Sequence, residues 1–197
     1  VNAPELSRCR HVERRRFAPE WQQMEGVAPQ EKERDRGEHL MGLGQWAEQF
    51  NPPMPGWEIV GGAGFDQGDK FSRPGKPGNG WVRATQGWNA IQNWVAVPPN
   101  TDVTVDAWLR WAPALTGGYM SVRGDDGNGA PGPVITELRL AGNQPLPKDN
   151  EAGYFEYQFH FNSGPHSRVL FYVGLWGNGD DAWIQVDSAV LQWSTPY

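Results

Sequence analysis

One cysteine, Cys9, stands in 197 residues. That excludes an internal disulfide and any multi-cysteine zinc site, and it demands neither an oxidising nor a reducing compartment. Long apolar runs are missing as well: none approaches the ~20 residues of a membrane-spanning helix. Residues 1–16 hold no apolar stretch of the signal-peptide kind, so the expectation is that a signal was removed before Val1 or that the protein reaches its site without one. Excess positive charge is also lacking. The formal net charge is −6, which speaks against broad nucleic-acid binding by phosphate neutralisation.

Catalytic motifs are absent in the same way. The chain has no G-x-S-x-G elbow and no P-loop, and His11, His39, His160 and His166 have no partner at H-E-x-x-H spacing. Cys9 reads as an ordinary thiol, because no histidine forms a recognisable pair with it. Acidic residues on strand faces, Glu156 among them, have the chemistry of a glycosidase pair, but without a motif they read as solvent-exposed charges. The expectation is a protein that is not an enzyme and requires no cofactor.

What is plentiful is Gly, 25, Pro, 17, and Trp, 11. With 38 % hydrophobic and 20 % charged residues, the chain has enough apolar material for a packed core and turns often. Two regions differ in composition. Residues 51–197 carry 21 of the 25 Gly and 9 of the 11 Trp. The boundary falls at Asn51-Pro52-Pro53-Met54-Pro55-Gly56, where successive prolines stop a helix.

Residues 1–50 read as a helical docking arm. Leu40, Leu43, Ala47 and Phe50 recur at helical spacing over 31–50, with Met41 and Trp46 beside them, and Pro29 and Glu31 suit a helix start. Gly37, Gly42 and Gly44 oppose a helix there. A shorter helix is expected over 12–24, with Val12, Phe17 and Trp21 as its apolar residues. Such a segment cannot build its own core, so Leu40, Leu43, Trp46 and Phe50 are the expected contacts with a protein partner or another copy of the chain. Arg8, Arg10, Arg14, Arg15 and Arg16 are diluted by Glu5, Glu13 and Glu20, which suits a protein partner better than nucleic acid.

Residues 51–197 read as strands. Val103, Val105, Ala107 and Leu109 alternate with Thr104, Asp106, Trp108 and Arg110. Phe155, Tyr157, Phe159 and Phe161 alternate with Glu156, Gln158 and His160. Val169, Phe171, Val173 and Leu175 share a face, and Ile184 and Val186 continue the pattern over 182–191. Further strands are expected near 57–60, 81–85, 90–97, 118–123 and 133–140. Gly- and Pro-rich turns separate them, and no helix intervenes. The predicted class is mainly β: an antiparallel sandwich of the jelly-roll kind, preceded by the helical arm.

Residues 80–111 resemble the middle of the jelly-roll carbohydrate-binding modules that accompany cellulases and xylanases. Ile91-Gln92-Asn93-Trp94-Val95 and the run from Val103 to Arg110 carry that resemblance, and the run from Trp183 to Leu191 is similar to the terminal strand of the group. Asn51-Pro52 and Gly56-Trp57-Glu58 match its start loosely. The likeness covers residues 51–197. Val103 stands where the group has an aromatic, and Asp187 is followed by Ser188 where it has an acidic pair. The resemblance implies glycan binding. It also implies a structural calcium at Glu58 and Asp187, with Asp180 and Asp181 nearby, although calcium takes about six to eight oxygen ligands and those two aspartates also suit a turn.

Sugar binding needs flat apolar surface for pyranose C–H faces and planar polar groups for hydroxyls. Alternation supplies candidates. Trp81 shares a face with Arg83 and Thr85, Trp94 with Gln92, Trp108 with Asp106 and Arg110, and Trp183 with Gln185 and Asp187. If those faces belong to one sheet, they form an aromatic and polar platform. The alternative for each tryptophan is packing under a helix or loop.

Three functions follow as expectations. The first is a non-catalytic structural or adhesion protein that presents the sandwich on a larger assembly, such as a phage virion, tail or capsid decoration, anchored by its N-terminal arm. The second is a secreted carbohydrate-binding module of a polysaccharide-degrading enzyme. The third is an enzyme on the same fold. The expected location is extracellular or on a virion surface.

Overall fold

The computed structural model describes residues 41–50, 52–67, 72–76, 78–143, 150–179 and 181–196. Twelve strands run through them in the order β1 (Met41–Glu48), β2 (Trp57–Val60), β3 (Ala63–Asp66), β4 (Asn79–Arg83), β5 (Gly87–Ala96), β6 (Asp102–Trp111), β7 (Gly118–Asp125), β8 (Pro131–Leu140), β9 (Asn150–Glu151), β10 (Tyr154–Asn162), β11 (Arg168–Gly177) and β12 (Trp183–Pro196). No helix occurs among the described residues.

The strands form two sheets, and the paired strands are antiparallel. The seven-stranded sheet has the order β3-β4-β12-β6-β10-β9, with β1 also paired to β12; the five-stranded sheet has the order β2-β5-β11-β7-β8. Alternation explains the stacking. Val103, Val105, Ala107 and Leu109 of β6 and Val169, Phe171, Val173 and Leu175 of β11 are all buried in one hydrophobic core. Each of the Val, Leu and Phe side chains contributes about 1.5–3 kcal/mol by leaving water. The strands expected near 57–60, 81–85, 90–97, 118–123 and 133–140 are present as β2, β4, β5, β7 and β8.

The longest strand, β12, changes parity partway. Ile184 and Val186 point inward, and so do Ala189 and Leu191. The pairing with β6 jumps from Val186↔Leu109 to Ser188↔Trp108, leaving Asp187 as the extra residue of a β-bulge. The bulge lets one strand serve β4 at its start and β1 at its end.

The helix expected over 31–50 is overturned in its last part: Met41–Glu48 is a strand, paired with β12 from Met41↔Pro196 to Glu48↔Ala189. The rest of that helix, the one over 12–24, Leu40, Cys9 and the arginine cluster lie outside the described residues. Period two governs here. Trp46 is half-buried against Trp57 and Phe171, and Phe50 is fully buried in the sandwich core, which leaves Phe50 no surface for an assembly contact. Leu43 points away and is 84 % exposed. The Gly44 position faces the Trp193 indole, which leaves no room for a side chain. Glu48 then fixes the turn into the core: its Oε1 accepts from the backbone N–H groups of Gln49 (2.9 Å) and Phe50 (3.0 Å), and its Oε2 from Trp57 Nε1 (3.3 Å).

Candidate functional site

The anticipated platform is divided between the two sheets. Trp81 and Arg83 lie on β4, Asp106, Trp108 and Arg110 on β6, and Trp183 and Gln185 on β12, all in the seven-stranded sheet. Gln92 and Trp94 lie on β5 of the five-stranded sheet. The outer faces of stacked sheets point in opposite directions, so one ligand does not span both sets.

On the seven-stranded sheet, a groove of about 760 Å³ brings together Trp81, Arg83, Arg110, Trp183 and Gln185, with Asp66 and Asp181 also lining it. Register explains the grouping: Trp183 stands opposite Arg83, and Gln185 stands between Trp81 and Arg110. Arg110 Nε donates to Gln185 Oε1 at 2.5 Å, and the guanidinium carbon sits 4.7 Å from the centre of the Tyr154 ring. Burial pushes the Tyr154 phenol far above its ordinary range, so it stays neutral beside that cation.

Trp108 and Asp106 stand outside this groove. The Arg73 guanidinium lies 4.1 Å from the centre of the Trp108 ring and covers it. Desolvation, and then the neighbouring Asp106, hold the Glu156 carboxyl above its usual range. That pair is on the same face, and neither carboxylate lines the grooves described here.

The implied calcium does not fit the residues present. Glu58 lies on β2 of the five-stranded sheet and accepts from Gln92 Nε2 at 2.8 Å. Asp187 is fully buried in the other sheet, and both its oxygens accept hydrogen bonds from Arg73. Asp180 lies outside the described residues, and among the described residues no three His, Cys, Asp or Glu side chains gather.

The five-stranded sheet carries a second groove, of about 610 Å³, that the sequence reading met only at Gln92. Its floor is aromatic: Trp88 lies 5.6 Å from Tyr172, ring centre to ring centre, and 6.1 Å from Tyr119. Trp176 closes the row and is 60 % exposed. Gly174 makes the floor flat, because a Cβ there would stand 2.6 Å from Trp88 Cζ2. Polar groups border it: Arg139 Nε donates to Glu137 at 3.0 Å, and Arg123 Nε to the Gly132 carbonyl at 2.9 Å. The signal was present in the strands. Leu170, Tyr172 and Trp176 alternate with the inward set of β11, and Tyr119 alternates with Met120. Trp94 shares this face but sits under the Arg168 guanidinium, 4.5 Å from the ring centre, and Arg168 is paired with Asp125.

The sequence matches no protein-family profile and no characterised protein. Solved structures match it by shape. The K1 cleaved adhesin domain of Lys-gingipain from Porphyromonas gingivalis aligns over 75 % of this chain and 97 % of its own, with 12 % identity and a TM-score of 0.53. The xylan-binding domain CBM22-1 of Paenibacillus barcinonensis Xyn10C aligns over 75 % and 92 %, with 17 % identity and a TM-score of 0.52. The chain shares the jelly-roll fold of these two domains. At these identities the jelly roll alone is shared. A tailspike domain of bacteriophage CBA120 aligns at a TM-score of 0.46 and 9 % identity, over 69 % of this chain and 19 % of its own, too distant to argue for a virion.

Proposed function

We propose that this jelly roll is a non-catalytic polysaccharide-binding protein whose main site is the aromatic groove of the five-stranded sheet. The observation that carries the reading is the row of Trp88, Tyr119, Tyr172 and Trp176 on an outer face. None of these rings belongs to the sandwich core; Tyr172 is buried beneath its neighbours, and Trp176 is more exposed than buried. A flat indole in water beside amide, carboxylate and guanidinium groups suits a pyranose, which offers C–H bonds on its faces and hydroxyls at its rim. The shared fold with a xylan-binding domain and with an adhesin domain supports the reading. In it the partner is a polysaccharide met outside the cell, and the residues before β1 tether the sandwich to a larger assembly.

Electrophoresis through gels containing soluble xylan or β-glucan tests this. The protein is expected to be retarded by at least one neutral polysaccharide, and Trp176→Ala is expected to weaken that binding about tenfold or more without moving the melting temperature. No retardation by any neutral polysaccharide, or retardation unchanged in Trp176→Ala and Trp88→Ala, overturns the reading.

A further inference from the structure

The groove on the seven-stranded sheet differs from the aromatic groove in its charge arrangement. Its indoles, Trp81 and Trp183, are interleaved with two guanidinium groups. Arg83 lies 5.2 Å from the Trp81 ring centre, and Arg110 lies 5.9 Å from the Trp183 ring centre. Trp81 lies across Gly64, where a Cβ would stand 2.8 Å from the indole. Its Nε1 is buried with no hydrogen-bond acceptor among the described residues. Arg83 is exposed, and among the described residues it has no carboxylate partner. In the aromatic groove Arg139 is paired with Glu137, and the half-buried Arg123 donates to the Gly132 carbonyl. A guanidinium resting on an indole presents its N–H edge to a planar anion, and a carboxylate matches that fork with two hydrogen bonds.

We propose that this groove is a second glycan site, selective for a uronate-bearing chain. The uronate carboxylate meets Arg83, and its ring lies on Trp183. Asp66 and Asp181 accept from the sugar hydroxyls, and the Gln185 amide, whose oxygen is held by Arg110, donates to one. The proposal rests on the reading of the domain as a glycan binder and adds a ligand class and a second face. Because the two grooves are on outward faces of stacked sheets, one domain holds two chains and links them, with a gain in avidity that needs no new contact.

The probes are soluble polygalacturonate and its carboxyl-reduced form, each cast into a native gel. The full chain is expected to be retarded by polygalacturonate and much less by the reduced polymer. Arg83→Gln and Trp183→Ala are each expected to weaken retardation by polygalacturonate about tenfold or more. Trp176→Ala and the surface variant Lys76→Gln are expected to leave it unchanged, and a thermal melt shows that each variant is folded. The proposal is overturned by equal retardation in the reduced polymer, by equal weakening in Lys76→Gln, by loss in Trp176→Ala, or by no retardation at all. The neutral-polysaccharide gels report separately on the aromatic groove, so failure here leaves that result standing.

Discussion

Both carboxylate oxygens of Asp187 accept hydrogen bonds from Arg73, Oδ2 from the backbone N–H at 2.8 Å and Oδ1 from Nε at 3.0 Å. The same guanidinium donates to Ser188 Oγ at 3.0 Å and covers the Trp108 ring. A side-chain cation thus satisfies the acid at the bulge and ties the 72–76 segment to β12. Removing one member of a buried pair strands the other charge, so Asp187→Ala is expected to lose about 3–5 kcal/mol in urea denaturation. The double change Arg73→Met with Asp187→Leu is expected to recover most of that. Calcium and a chelator are expected to give the same melting temperature.

Phe50 and Leu43 separate core from surface in the strand read as a helix. Phe50→Ala is expected to lose about 3–5 kcal/mol, as large-to-small core changes do. Leu43→Ser, at an exposed position, is expected to stay within about 0.5 kcal/mol of the parent. Equal effects in denaturation would contradict the placement of β1. Deleting residues 1–50 is expected to unfold the sandwich, because it removes β1 and Phe50 from it.

Gly174 is the third case. Its Cβ would press on the end of Trp88 and on the Asn89 carbonyl oxygen, at 2.6 and 2.9 Å. Gly174→Ala is expected to cost about 1–3 kcal/mol and to tilt Trp88 out of the groove floor. Retardation by a neutral polysaccharide should fall with it, whereas polygalacturonate retardation should not.

The pH dependence has an acid and an alkaline side. Its hydrogen bond from Arg168, then that from the Gly127 N–H, holds the Asp125 carboxyl below its ordinary value of 3.8. The stability this group adds is present above the unfolded-state value and is lost as pH falls through the lower folded value, so the loss falls below about pH 4. Asp125→Asn should flatten the acid limb of stability measured against urea. Burial pushes the Tyr157 phenol up to about 12. Its contribution is complete below about pH 10 and declines as pH rises to the folded value. Tyr157→Phe should reduce the alkaline loss. Its hydroxyl is buried with no partner among the described residues, so the substitution should also gain about 1 kcal/mol at neutral pH.

Alternation in the sequence determined the sandwich, because a period of two sends successive side chains to opposite faces wherever the chain is extended. Val103 to Leu109 and Val169 to Leu175 took their inward places as that period requires, and Trp81, Trp94 and Trp183 took their outward ones. Over 41–50 helical spacing groups Leu43, Ala47 and Phe50, whereas strand alternation turns Trp46 and Phe50 inward and Leu43 and Ala47 outward. Pairing with β12 decided for the strand, and that pairing joins residues far apart in the chain. Long-range pairing also split the tryptophan platform, since alternation assigns a face but not a sheet. Only the stacked strands brought Trp88, Tyr119, Tyr172 and Trp176 into one floor, set Trp183 against Arg83, and gave Asp187 an arginine where the resemblance implied calcium.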